Sequence, residues 1–240
     1  MRLSFRGRTA LILGGGSDMG LALAALLRDE GLAVIPTHAS ETGREAVARR
    51  FPDLASPRLE LGDHDFGALQ PVLDAGVDYL VDLAQGDLEG LAAAAGDEAE
   101  GYLEAHVSGR LRLLRAVTRS MLPRRFGRLV FVSSTAAALP APGQAFYGAA
   151  KRAAEGLYQS LGLELGSRGV TSVSLRLGLV DAGRGKRFLD ADDRRQTLGG
   201  KVVSLEQAAS TLLFLMSDQA LALTCTTITM DAGLTAQKYL

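Results

Sequence analysis

The chain has 240 residues, a formal net charge of −1, 47% hydrophobic residues and 22% charged residues. That balance fits one globular α/β domain with a substantial core, and it excludes a nucleic-acid binder because no basic block is present. The single cysteine, Cys225, excludes an internal disulfide and fits a reducing, cytoplasmic setting in which it is a small buried apolar residue.

No uncharged apolar run of about 18 residues occurs, so no membrane-spanning helix is expected. Met1 to Arg8 lacks the apolar centre of a signal peptide. Thr9 to Leu13 is a short apolar run, read as the first strand. Gly14-Gly15-Gly16-Ser17-Asp18-Met19-Gly20 follows, then an alanine- and leucine-rich helix to about Arg28. Strand, glycine turn and helix form the setting of a dinucleotide turn. The glycines permit a tight bend, and the helix N-terminus offers N–H groups to a pyrophosphate. Gly14, Ser17, Asp18, Met19 and Gly20 are the candidate contacts. Asp18 either repels the pyrophosphate or, the reading preferred here, caps the helix.

Ala33 to Pro36 is the second strand, ending in Thr37-His38-Ala39-Ser40 with no acidic residue to bind both ribose hydroxyls. Thr37, His38 and Ser40 are expected to bond a 2′-phosphate, which favours NADP(H) over NAD(H). The plainer alternative is that they only open the next helix, Glu41 to Phe51. Leu59 to Leu61 reads as the third strand and Val77 to Leu83 as the fourth. Asp63-His64-Asp65 has no second cluster of histidines or cysteines, so no metal site is expected. Asp65 is read as a helix cap. A long helix, about Glu98 to Leu122, carries Val107, Leu111, Leu114 and Val117 at helical spacing. Arg124, Arg125 and Arg128 make a basic group before the fifth strand, Leu129 to Ser133, as a contact for an acidic partner or as solvated surface.

Phe131 to Leu165 is the most informative stretch. Ser134 ends a buried strand, and Tyr147 and Lys151 are spaced i, i+4 near the start of a helix to Leu165, so they share a face. A phenol with its ordinary pKa of about 10 is a poor acid or base at neutral pH, and a cation beside it favours the phenolate. A serine hydroxyl can bond a carbonyl oxygen as charge develops there. The set suits hydride transfer to or from a carbonyl carbon. An isolated Tyr-x-x-x-Lys more often marks a solvated helix face. The serine at a strand end and the glycine turn argue for chemistry. Ala149, Ala153, Leu157, Leu161 and Leu165 form an apolar line on the same helix. Thr171 to Leu175 is the sixth strand, and Gly183 to Val203 is a polar segment read as a substrate lid or a solvated loop. Its Arg184, Lys186 and Arg187 are candidates to meet a phosphopantetheine or an acidic partner. Ser204-Leu205-Glu206-Gln207 is a capping box, and Ile228 to Gly233 is the last strand and turn.

Ser134, Tyr147 and Lys151 at this spacing, behind the glycine turn, resemble the short-chain dehydrogenase/reductase family and within it the 3-oxoacyl-[acyl carrier protein] reductases, over nearly the whole chain. The resemblance implies that Ser134 orients the carbonyl, Tyr147 donates the proton, and Lys151 lowers the tyrosine pKa and holds the ribose. It places His106 where the family has an asparagine that holds a relay water; a histidine there can pass protons near neutral pH, or be merely structural. It sets Asp63 against the adenine, Ala84 on the cofactor floor, Gly178 beside the nicotinamide, and the Val180 backbone on the carboxamide. It implies a homodimer or homotetramer built on the two long helices.

The sequence also departs from the family pattern. Leu13 and Asp18 replace a threonine and the middle glycine of the turn, and Ser17 stands where NADP-dependent relatives often carry arginine. Asp82-Leu83-Ala84-Gln85 replaces asparagine-asparagine-alanine-glycine, while Leu177 and Ala182 replace a proline and a threonine. The expectation is a single-domain Rossmann-type α/β fold over residues 1–240, a doubly wound parallel sheet with helices on both faces. The expected activity is NADPH-dependent reduction of a 3-oxoacyl thioester, carrier-bound or free, or of a similar small-molecule ketone. The alternative is a reductase-fold subunit with impaired cofactor binding and little catalysis. The retained Ser134, Tyr147 and Lys151 oppose it.

Overall fold

The computed structural model describes residues 2–86, 88, 90, 92–94, 96–189 and 200–237. Six short strands form one parallel sheet, β1 (Thr9–Leu13), β2 (Ala33–Pro36), β3 (Tyr79–Asp82), β4 (Gly127–Ser134), β5 (Val170–Leu177) and β6 (Thr226–Met230). Their order is β2-β1-β3-β4-β5-β6, so the direction of winding reverses beside β1. In such sheets ligands bind beyond the strands' C-terminal ends near that reversal.

Successive side chains in a strand point to opposite faces, and here both faces are apolar. Ala10 and Ile12 of β1, Tyr79 and Val81 of β3, and Val130 and Val132 of β4 join one core. Helices α1 (Asp18–Asp29) and α8 (Leu205–Met216) cover it with Leu23, Leu27, Leu212 and Met216. Leu11, Leu13, Leu80, Leu129 and Phe131 face the other core. That one is covered by α3 (Gln70–Ala75), α5 (Arg110–Met121) and α6 (Ala145–Leu165). The remaining helices are α2 (Glu41–Arg50), α4 (Asp97–Leu103), α7 (Gly183–Leu189) and α9 (Leu234–Gln237). The capping box on α8 is formed in both directions. Among the described residues, no helix is long and apolar enough to cross a membrane.

Three expectations are corrected. Leu59 to Leu61 is not a strand; among the described residues the only sheet-like pairing there is a bridge between His38 and Arg58. Local bonds win over a ladder, because the Asp63 N–H donates to the Glu60 carbonyl and the Asp63 carboxylate accepts from the Glu60 N–H. Leu59 and Leu61 are buried, which accounts for their strand-like apolarity. The long helix is interrupted: Glu104–Gly109 is a π turn between α4 and α5. The lid segment opens with the helix α7, and residues 190–199 lie outside the described residues, as do the side chains of Arg184 and Arg187.

The apolar line on α6 also differs from simple burial. The face turned into the chain carries Ala150, Ala154, Tyr158 and Gly162. Ala149 is exposed, and Ala153, Leu157, Leu161 and Leu165 are only half-buried.

Candidate active site

A cavity of about 540 Å³ opens at the C-terminal ends of the strands, with Ser134, Tyr147 and Lys151 in its wall together with Ser17, Asp18 and Met19. Ser134 is the last residue of β4, and a tight turn, Thr135–Ala137, follows it. The first turn of α6 packs closely on that turn, since a Cβ on Gly148 would stand 2.8 Å from the Ala136 carbonyl oxygen. A residue without a side chain is therefore needed at 148, next to Tyr147.

The Ser134 hydroxyl oxygen accepts from the Ala136 N–H at 3.2 Å. Its own hydrogen remains to be donated into the cavity. Lys151 is almost fully buried, 3% exposed, and its ammonium donates to the Val132 carbonyl at 2.8 Å. The same nitrogen lies 4.9 Å from the centre of the Phe131 ring and 5.8 Å from that of Tyr147. A buried cation is thus fixed beside the phenol.

The glycine turn lies against this cavity. Gly14 has a left-handed φ of +70°, and a Cβ there would press on the Leu83 and Ala84 backbone at 3.3 Å. Gly20 packs on Gly15, so a side chain at 20 would force the helix off the turn, and a side chain at 15 would strike Pro36 at the end of β2. The cap of α1 is Ser17, not Asp18: the Ser17 hydroxyl accepts from the Gly20 N–H at 3.1 Å. Asp18 instead points across the cavity, and its carboxylate accepts from the Gly183 N–H at 3.0 Å, at the start of α7. The first-turn N–H groups of Asp18 and Met19 have no partner within the helix. That cradle, which only glycines can line so closely, fits a dinucleotide pyrophosphate.

Other expected contacts are placed differently. The Thr37 hydroxyl accepts from the Gly14 N–H at 3.2 Å, so it braces the turn. His38 Nδ1 is bonded to the Ser56 hydroxyl at 2.9 Å, and Ser40 caps α2 through the Gly43 N–H. The three residues expected around a 2′-phosphate are all engaged within the protein. Gly14, Gly20, Asp63 and Ala84 do not line the cavity, whereas Gly178 and Val180 do. Val203 pairs with the Leu179 carbonyl and the Asp181 N–H, which turns the Val180 backbone groups to the opposite edge.

His106 sits in the π turn, 7% exposed, and its Nε2 accepts from the Gly86 N–H at 3.1 Å. Its proton is therefore on Nδ1, which has no partner among the described residues. Burial, and then the nearby Arg110 and Lys151 cations, push its pKa down to about 4. That shift favours the neutral ring at neutral pH.

Two buried polar networks escape the sequence reading. Asp82 and Arg110 are both fully buried and ion-paired at 2.7 Å, with the Tyr158 hydroxyl donating to the same carboxylate oxygen at 2.9 Å. Ser133 donates to Glu155 at 2.6 Å, and Arg176 grips the same carboxylate with two N–H groups. The first had a legible signal: Arg110 shares the stripe of Leu114, Val117 and Met121, so its charge had to be buried with a partner. Among the described residues there is no group of three or more potential metal ligands. Arg128 does not belong to a surface basic group: it is fully buried, and Arg124 and Arg125 bond the Ala75 and Ser167 carbonyls.

The family model described as enoyl-(acyl carrier protein) reductase matches residues 15–235. The chain is 30% identical to the 3-oxoacyl-[acyl-carrier-protein] reductase FabG of Escherichia coli over 244 aligned residues, covering 97% of this chain and 99% of that one. It is likewise 30% identical to FabG of Vibrio cholerae, with the same coverage. Among solved structures, one assigned as a betaketoacyl-ACP reductase superposes with a TM-score of 0.85 at 28% identity, covering 98% of this chain and all, 100%, of the other. A gluconate 5-dehydrogenase from Burkholderia cenocepacia, in complex with NADP and tartrate, reaches the same TM-score of 0.85 at 24% identity over 97% of each chain, a likeness of fold. With a serine, a tyrosine and a buried lysine converging on a glycine-turn crevice, the chain belongs to the short-chain dehydrogenase/reductase family of NAD(P)-dependent oxidoreductases.

Proposed function

We propose that the protein is a ketoreductase that uses NADPH to reduce a 3-oxoacyl thioester or a similar ketone. The observation that carries the reading is the buried Lys151 ammonium fixed beside the Tyr147 ring in the same cavity as Ser134. Bound along the glycine turn, the reduced dinucleotide supplies the hydride. Ser134 keeps its lone pair on the Ala136 N–H and donates its hydrogen to the substrate carbonyl. Tyr147 gives its phenolic proton to the same oxygen as it becomes an alkoxide, and the Lys151 cation stabilises the phenolate that remains. The Val180 N–H, turned away from Val203, would hold the nicotinamide carboxamide. Neutral His106 acts as a hydrogen-bond donor through Nδ1 in the resupply of the proton.

NADP(H) is favoured over NAD(H) because β2 ends without a carboxylate to pair with the ribose hydroxyls. The named activity of the FabG relatives supports the substrate class. The half-exposed line Ala153, Leu157, Leu161 and Leu165 supports a homodimer or homotetramer, checked by light scattering. The functional test is oxidation of NADPH and of NADH with acetoacetyl thioesters. The expected result is turnover with NADPH that Ser134→Ala and Tyr147→Phe remove. Unchanged turnover in Tyr147→Phe, or no binding of either dinucleotide, would refute the reading.

A further inference from the structure

The buried pair at the end of β3 reaches parts of the molecule that border the crevice. Arg110 sends Nε to the Asp82 carboxylate at 2.7 Å, one terminal nitrogen to the His106 carbonyl at 2.6 Å, and the other to the Ala84 carbonyl at 2.6 Å. Asp82 in turn accepts from the Ala84 N–H at 3.0 Å. One guanidinium thus ties the strand end, the loop after it and the π turn.

The bond to His106 concerns register. In an unbroken α-helix the Arg110 backbone N–H would take the carbonyl four residues back, that of His106. Here that N–H is shared between the Ala105 and Val107 carbonyls, five and three residues back, and the Arg110 side chain takes the His106 carbonyl. A single extra residue in a helical turn re-aims every side chain near it, and π turns are frequent at functional sites for that reason. The side chain aimed by this turn is His106, whose ring bonds the Gly86 N–H. Gly86 follows Gln85, which lines the cavity.

We propose that Arg110, anchored by Asp82, is a positioning residue: it holds Glu104–Gly109 in the π register and so places the His106 imidazole and the Gly86 backbone behind Gln85, which lines the reaction cavity. Its kinetic consequence rests on the reductase reading; its structural consequence does not. A neutral pair in place of a buried ion pair commonly preserves a fold, whereas removing one partner does not. The test therefore uses the double variant Asp82→Asn with Arg110→Met, and the single variant Arg110→Lys, which keeps the charge but cannot reach three acceptors at once.

His106 is one of 3 histidines, so its imidazole nitrogens can be assigned by NMR in the protein without dinucleotide. In both variants the His106 Nε2 resonance is expected to lose the signature of its bond to Gly86. The turnover number should fall roughly 10–100-fold, the scale of a displaced reacting group. Michaelis constants for thioester and dinucleotide should stay within about threefold. A folded double variant with an unmoved His106 resonance and normal turnover would overturn the proposal. Full rescue by Arg110→Lys would do so too, since charge alone would then suffice. Failure of both variants to fold would assign the pair to stability and equally overturn it. If the wild-type protein turned over no ketone, the reductase reading would fall, and the imidazole measurement would still decide this one.

Discussion

The two ends of the sheet each bury an arginine completely, and they use it differently. At the C-terminal end Arg110 meets a carboxylate and two carbonyls of segments that border the cavity. At the N-terminal end Arg128 has no carboxylate partner among the described residues; it donates to the Leu215 carbonyl in the last turn of α8 and to the Ala220 and Leu223 carbonyls beyond it. Burial alone lowers its pKa to about 10, so it stays charged at neutral pH. The exposed carbonyl ends of a helix offer negative partial charge that can hold a cation. The difference teaches that a buried charge is read by what it touches: Arg128 closes the bottom of the fold, and Arg110 braces the top beside the candidate cavity.

The comparison is sharpened first at Lys151. Lys151→Met should lower kcat/KM by about 10³-fold, about 4 kcal/mol of transition-state stabilisation, in a protein that still folds. Next, Arg128→Met leaves three carbonyls without their donor and should lower unfolding free energy by about 3–4 kcal/mol, read by urea titration. Its turnover number at a temperature where it is folded should be unchanged. A large loss of turnover there would break the division between the two ends.

The third prediction concerns His106. Its folded pKa of about 4 lies below its ordinary value of 6.5, so the fold holds the neutral ring. Between those values the unfolded chain binds a proton that the folded chain refuses. Stability therefore falls as pH drops from 6.5 toward 4, and this contribution levels off below about 4. Wild type should lose about 2–3 kcal/mol more than His106→Asn across that window. Equal acid sensitivity would mean that the ring is solvated or already charged in the fold. The smallest effect is expected at Asp18→Gly, which removes a carboxylate beside the pyrophosphate cradle. Dinucleotide affinity should rise by about 1 kcal/mol at low salt, and the gain should shrink as salt screens the charge.

Much of this was legible in the sequence because the signals were local. β1, α1 and β2 follow from apolar runs punctuated by glycine, and Ser134, Tyr147 and Lys151 follow from a strand end and one helical spacing. What was not legible depended on long-range partners. Thr37 looked available for phosphate until its hydroxyl was found on Gly14. Asp18 looked like a cap because Ser17, one residue earlier, serves that purpose equally well by type; only the fold brings Gly183 to its carboxylate. Asp82 looked like a lost asparagine, and its compensation at Arg110 is 28 residues away in sequence. Leu59 and Leu61 are apolar because they are buried, which periodicity over three residues cannot separate from strand.

The central claim is that the Tyr147 hydroxyl, beside the Lys151 ammonium, delivers the proton during hydride transfer. Single-turnover oxidation of bound NADPH by an acetoacetyl thioester, followed in wild type and in Tyr147→Phe, tests it directly. The account predicts that the variant binds dinucleotide as wild type does and oxidises it slower by about 10²–10⁴-fold. Oxidation at the wild-type rate in Tyr147→Phe would contradict it.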